Sequence, residues 1–276
     1  MLKGIVNILK RIVLSCIGLS VRDRMPDIWK TLIFNFLAFG IKGVFKLPVI
    51  VYRNTNIYKI GKIVLHCTMQ KGLVTIGKLD YKSQGETRFY NIGTINIHGP
   101  VKIEGATIIE NSGVITFDGY NRISDGSTIL VRSELKFGKH SRLGFHGFIM
   151  DSDDHYTIDV ETRKISRNCK PIQIGAYNWF GNSTIIKKGV VTPDYLIVAS
   201  TNALLTKDYS SLPPYTVMGG MPAKVLKSGI RRVFNADNEI MINKYFKDNP
   251  DANEFVVDRN VNLDDYCASS QNIIIL

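Results

Sequence analysis

Cysteine and tryptophan are scarce in this chain of 276 residues, with 4 of the first and 2 of the second. Cys16, Cys67, Cys169 and Cys267 lie far apart. That excludes CxxC-type metal spacing and a dense disulfide framework. A reducing, cytoplasmic setting is the simplest expectation. A long uncharged run is also missing. The most apolar stretch, IWKTLIFNFLAFGIKGVF at 28–45, has an uncharged core of 11 residues, Thr31 to Ile41. A bilayer span needs ~20, so spanning is not expected. The earlier stretch MLKGIVNILKRIVLSCIGLS is interrupted by Lys10 and Arg11 and is followed by no small-residue cleavage site, which argues against a secretory signal peptide. No glycine-rich phosphate loop precedes a helix, so nucleotide hydrolysis has no support.

Acids are nearly absent from the front of the chain. Residues 1–62 carry eleven lysines and arginines against Asp23 and Asp27, so +9 of the net charge of +11 sits there. An acidic partner would meet this segment. Ile5, Ile8, Ile12 and Cys16 follow a helical spacing with Lys3, Lys10 and Arg11 off the stripe. Two expectations follow for residues 1–46: an interfacial segment on an anionic membrane surface, or helices that cap a larger domain and bury the same face. With 45% hydrophobic and 21% charged residues, the remainder is ordinary globular sequence rather than a disordered chain.

The middle of the chain is periodic. Isoleucine returns every sixth residue at Ile97, Ile103, Ile109 and Ile115, then after a two-residue slip at Ile123, Ile129 and Leu135. Another slip leads to Leu143 and Ile149, and the frame resumes at Ile174, Phe180 and Ile186, skips at Thr192, and returns at Val198 and Leu204. Neither a helix nor a plain strand has a period of six. Three short flat strands per turn do, each strand with its corner taking six residues, so that like positions stack inward from coil to coil. The pattern predicts a parallel β-helix of triangular section that exposes edges only at its two ends. Ile57, Ile63, Ile76-Gly77 and Ile92-Gly93 mark irregular earlier coils from about Leu47, and Ile230 to Lys247 reads as a helix stopped by Asn249-Pro250.

The hexads, the segment DSDDH at 151–155, IQIGAYNWFGNSTIIKKGV (172–190), LLTKD (204–208) and GGMPAKVLK (219–227) together resemble the hexapeptide-repeat acyltransferases. Within that family they are most similar to O-acetyltransferases of capsule, exopolysaccharide and lipopolysaccharide synthesis. The resemblance covers about residues 47–230. It implies a mainly β fold, a left-handed parallel β-helix with N-terminal helices and a C-terminal helix. It also implies acetyl-coenzyme A as acyl donor, a carbohydrate acceptor and a homotrimer, with no metal and no nucleic acid. Three segments follow: 1–46, a helical basic segment; 47–208, the β-helix with an excursion at 151–171; and 209–276, a coenzyme A-binding segment, helix and tail. Three departures from the family pattern stand out: Phe180 replaces an isoleucine, VASTNA (198–203) replaces a glycine-containing turn, and LLTKD sits one residue out of register. An extra residue near Thr201 or Asn202 is therefore expected.

Ile149 and Ile174 are 25 residues apart, not a multiple of six, so DSDDHYTID at 151–159 belongs to an excursion from the wall. Loops on rigid scaffolds commonly carry function. Transfer of an acyl group to a hydroxyl needs a base, and imidazole titrates near physiological pH. A carboxylate can hold the ring's tautomer; Asp153 and Asp154 adjoin His155, and Asp151 is within reach. The resemblance gives His155 the part of general base in direct transfer. It places Trp179 along the thioester path and backbone groups of Ala199, Ser200, Thr201 and Asn202 on the pantetheine. It puts Lys207, Gly220, Pro222, Ala223 and Lys224 where adenine and phosphates bind. A zinc reading of His140, His146 and His155 and a nucleophilic reading of Cys169 are the competing chemistries; neither has a supporting pattern around it. N-acylation of an amino-sugar nucleotide and a silent β-helix scaffold are the competing functions.

Overall fold

Hexad residues become vertical columns. The computed structural model describes residues 25–79, 85–199 and 202–268. The first apolar stretch through Arg24, Ser200, Thr201 and the QNIIIL tail lie outside the described residues. Among the described residues the strands form three sheets of nine, seven and five strands; successive strands go to successive sheets as far as Ile185–Lys187, after which the third side keeps only the single bridges Gln173–Val191 and Val191–Asp208. All pairings between strands are parallel except the last, where Val217–Gly219 meets Lys224–Lys227. This is the expected left-handed parallel β-helix. One column of the nine-stranded sheet runs Val51, Ile76, Ile103, Ile123, Leu143, Phe180, Val198, Met218. Its counterpart in the seven-stranded sheet runs Ile57, Phe89, Ile109, Ile129, Ile149, Ile186, Leu205. Phe180 is fully buried, so the departure from isoleucine is accommodated in the core.

The two-residue slips have a physical cause. In the earlier coils the second-sheet strand carries a second inward residue: Asn91, Asn111 and Val131, all fully buried. Each such coil takes twenty residues, as Ile103 on Ile123 on Leu143 demonstrates. The later coil from Phe180 to Val198 lacks that residue and takes eighteen. The expected extra residue near Asn202 is present: Phe180 to Ile186 is six residues, whereas their partners Val198 and Leu205 are seven apart. Leu205, not Leu204, is therefore the inward residue.

The first coil needs a lid for its open edge, and α1 (Ile28–Lys46) supplies it. Asp27 caps its N-terminus by accepting from the Lys30 amide at 3.0 Å. Asn35 donates to the Val49 carbonyl and accepts from the Val49 amide, and Thr31 Oγ1 accepts from the Val51 amide. These side chains satisfy strand groups that no coil precedes. The opposite face stays open, with Trp29 71%, Leu37 65% and Phe45 81% exposed. The helix is long and apolar enough to cross a membrane by length and composition. Its Thr31, Phe34 and Asn35 side is nonetheless committed to the first coil.

The corner between the five- and nine-stranded sheets carries a ladder of stacked rings. Tyr120, His140, Tyr177, Tyr195 and Tyr215 lie one per coil, 4.6–5.1 Å apart between neighbours. Each is in the left-handed region, with φ between 54° and 64°. Burial, with Lys139 and Arg142 adding to it, lowers the His140 pKa to about 4, and its Nδ1 is buried without a hydrogen-bond partner among the described residues. A base whose folded pKa lies below its unfolded value stabilises the fold above the unfolded value and loses that contribution as pH falls towards the folded one. The wild type is expected to lose about 2 kcal/mol more than His140→Tyr between pH 6.5 and 4. Urea titrations at the two pH values measure it, and equal losses would contradict it.

The C-terminal helix is shorter than the periodicity predicts. It begins at Ala236, not Ile230, as α2 (Ala236–Asp248), because Asn235 caps it by accepting from the Asp237 and Asn238 amides. Residues 231–234 are instead drawn onto the β-helix: Phe234 is buried, and Arg231 and Arg232 lie over Tyr195 and Trp179. The helix stops at Asn249 as expected. A short α3 (Leu263–Cys267) follows. The nine-stranded sheet itself continues past residue 208, to Lys227.

Candidate active site

The excursion is a tongue with a fixed root. It leaves the wall after the strand Phe148–Met150 and rejoins it at Ile172–Ile174. Its first residue, Asp151, is fully buried and stands above Val131, the next place in the Asn91, Asn111, Val131 column. The carboxylate accepts from the Arg132 amide at 2.8 Å and the Ser133 amide at 2.7 Å. Burial raises its pKa and these amides oppose the rise. The Asp151 carbonyl accepts from the Lys170 amide, the Asp153 amide donates to the Asn168 carbonyl, and Ser152 bridges Cys169 in antiparallel fashion. Farther out, Ile158 bridges Ile165, and Asp159 closes the tip by accepting from the Glu161 and Thr162 amides. Two anchored arms thus carry the residues between them.

His155 lies on the outgoing arm between root and tip, exposed, and no side chain among the described residues hydrogen-bonds its ring. Neither neighbouring aspartate holds it. Asp153 is paired with Lys188 and, at 3.8 Å, with Lys187; the Lys188 hydrogen bond holds its pKa below the usual carboxylate range. Asp154 accepts from Arg132 Nε at 3.2 Å. These pairs tie the base of the tongue to the wall, and the imidazole stays open to an incoming molecule.

The remaining expected site residues fall on the last coils. Trp179 is 38% exposed, with the Arg232 guanidinium 4.4 Å from its ring centre. The Ala199 amide is not free, because it donates to the Met218 carbonyl at 2.7 Å. Asn202 is exposed with φ 58°. Lys207 is exposed beside the Tyr209 ring. Gly220, Pro222, Ala223 and Lys224 form the reversal between the last two strands, in which Gly219 pairs with Lys224. The Leu204 amide donates to the Gly220 carbonyl and the Ala223 amide to the Leu204 carbonyl, so the reversal is pinned to the coil. Gly220, Pro222 and Lys224 remain exposed, whereas Ala223 is buried.

His140, His146 and His155 do not converge. They sit at three different corners, after the strands Glu134–Phe137, Arg142–Leu143 and Phe148–Met150. Among the described residues no group of three or more His, Cys, Asp and Glu side chains is placed to hold a metal. Cys169 is half-buried in the root of the tongue. Arg142 and Arg232, which the apolar repeat does not mark, stand beside Trp179. A signal for Arg142 exists: Lys102, Arg122 and Arg142 recur at twenty-residue intervals, one coil apart.

No family model matches the chain. Among solved structures it is similar to the polysialic acid-specific acetyltransferase NeuO, at a TM-score of 0.47 and 19% identity, over 72% of this chain and 87% of that one. It is similar to AntD, an N-acyltransferase from Bacillus cereus solved with dTDP and 3-hydroxybutyryl-coenzyme A, at 0.41 and 12%, over 74% and 89%. A hexapeptide-repeat-containing acetyltransferase of Vibrio cholerae O1 biovar eltor complexed with acetyl-coenzyme A matches at 0.31 and 17%, over 76% and 91%.

Proposed function

We propose that this chain is a hexapeptide-repeat acyltransferase that moves an acetyl group from acetyl-coenzyme A to a sugar hydroxyl in surface-polysaccharide synthesis. The observation that carries this reading is the open imidazole of His155 on a tongue whose root is hydrogen-bonded into the coil wall. A base must be within hydrogen-bond reach of the proton that it takes, and an imidazole already engaged by a protein partner would be less available. In the proposed step a ring nitrogen of His155 takes the hydroxyl proton as the oxygen attacks the thioester carbonyl. The C–S bond breaks, the ester forms, and the proton passes to the leaving thiolate. Lys207 and Lys224 are exposed near the closing strands and suit the donor's phosphates as mobile point charges. Trp179 supplies an apolar wall for the thioester arm, and the carbonyl of Ala199 and the backbone of Asn202 offer hydrogen-bond partners to the pantetheine. The working form in this reading is a homotrimer in the cytoplasm.

Purified protein with acetyl-coenzyme A and a sugar acceptor is expected to release free thiol, followed with a thiol-reactive dye, and to yield an O-acetylated sugar by mass spectrometry. Binding of coenzyme A without thiol release on any sugar would count against the reading, and an N-acetylated product would reassign the acceptor.

The exposed face of α1, next to the basic front of the chain, supports peripheral attachment to an anionic membrane surface. Replacing Trp29, Leu37 and Phe45 together by serine is expected to reduce co-sedimentation with phosphatidylglycerol vesicles at least tenfold, leaving the core columns intact. Unchanged sedimentation would remove the membrane role.

A further inference from the structure

The outer face of the nine-stranded sheet carries a column of cations. Lys102, Arg122 and Arg142 stand in register on three successive coils, and Trp179 follows on the next. Neighbouring strands are ~4.8 Å apart, and like charges directly opposite destabilise a sheet. Arg232, arriving from the segment before α2, adds a further guanidinium over Trp179. Two of the three arginines have their own acids: Arg122 pairs with Glu104 at 2.6 Å, and Arg232 with Glu239 at 3.8 Å. Arg142 has no salt bridge and no side-chain hydrogen bond among the described residues. Its close partner is the Phe234 ring, 4.9 Å away. Burial, with Arg232 and Arg122 nearby, lowers its pKa to about 10, which still leaves it charged at neutral pH.

These groups line a cavity of about 220 Å³ bounded by Arg122, Arg142, Arg232, Trp179, Ser124 and Asn182. No acidic side chain lines it. The volume lies below the ~300–1,000 Å³ of drug-sized sites, so it suits one anionic group or ring rather than a whole nucleotide-bearing donor. Guanidinium groups present planar donor forks that match carboxylate and phosphate oxygens. Arg142 is half-buried, and the nearby Glu104 and Glu239, which favour its charge from a distance, are salt-bridged to Arg122 and Arg232, so it lacks the direct counter-ion that a partly buried charge ordinarily has.

We propose that this cavity is an oxyanion subsite, in which Arg142, flanked by Arg122 and Arg232, receives the carboxylate or phosphate of an acidic sugar. Its assignment to the acceptor rests on the acyltransferase reading; the anion site itself does not. Trp29 and Trp179 are the chain's tryptophans, so full-length Trp29→Phe protein reports on the cavity through Trp179 fluorescence. Glucuronate and glucose 6-phosphate, the two sources of charge, are titrated against glucose and coenzyme A. At least one of the two anions is expected to shift the emission saturably, with glucose at least tenfold weaker, and which one responds identifies the group. Arg142→Gln is expected to raise the half-saturating concentration of that anion at least tenfold while leaving coenzyme A binding, measured by calorimetry, within twofold. Arg232→Gln, outside the β-helix wall, is the second variant should Arg142→Gln not fold.

The proposal is overturned if glucose matches both anions, if neither anion binds, if Arg142→Gln folds and binds unchanged, or if coenzyme A alone loses affinity in the variants. Anion binding that depends on Arg142 in a protein that does not bind coenzyme A would instead retain the subsite and reject the acyltransferase reading.

Discussion

His155→Ala is expected to lower acetyl transfer by about 10³-fold, the middle of the range for a positioned general base, and to leave the fold as stable as before. The two halves of that expectation come from one placement. His155 is exposed and outside the hydrogen-bonded root of the tongue, so its removal leaves no cavity and orphans no buried group. Surface changes of that kind stay within about 0.5 kcal/mol. Thiol release under saturating acetyl-coenzyme A, together with a thermal melt, checks both. Activity within tenfold of wild type would take His155 out of the chemistry. A large fall in melting temperature would mean that His155 itself helps to anchor the tongue. The same variant should still bind coenzyme A, since residues 204–227, which carry Lys207 and Lys224, share no hydrogen bond with the tongue among the described residues.

Asp151→Ala is expected to cost stability and activity together. Its carboxylate is the acceptor for the Arg132 and Ser133 amides at the corner of the preceding coil. Leaving a buried donor unsatisfied costs about 1–3 kcal/mol, so the loss of two such acceptors should total about 3 kcal/mol. For a chain of this size that is a fall of about 6–12 °C in melting temperature. The root would loosen at the same time, because the Asp151 backbone also holds Lys170, and thiol release is expected to fall with it. Asp151→Asn, which keeps one acceptor oxygen, should lie between the two. A melting temperature within 2 °C of wild type for Asp151→Ala would show that water replaces the carboxylate at no cost.

Asp151 illustrates how far the sequence could be read. In DSDDHYTID the four aspartates look alike, and Asp151, Asp153 and Asp154 all lie close enough in sequence to serve the histidine. In the fold they separate completely. Asp151 is an interior coil residue that took the place of an asparagine or valine in its column, Asp153 and Asp154 are paired with Lys188 and Arg132, and Asp159 closes the tip. No periodicity distinguishes them, because whether a carboxylate finds a backbone amide or a lysine depends on coils distant in sequence. The position of the C-terminal helix shows a similar limit. The apolar spacing from Ile230 suited a helix, but Phe234, Arg231 and Arg232 found partners on the aromatic ladder and the Trp179 face, and tertiary packing overrode the local pattern.

By itself the sequence determined the β-helix, the excursion and the extra residue near Asn202. A repeat of six leaves a signature in every coil, and a broken repeat announces itself. Only the tertiary structure decided which aspartate is structural, that α1 buries one face on the first coil and leaves the other open, and that Lys102, Arg122 and Arg142 form one column beside Trp179. Those relations join residues a whole coil apart, and they exist only once the coils are stacked.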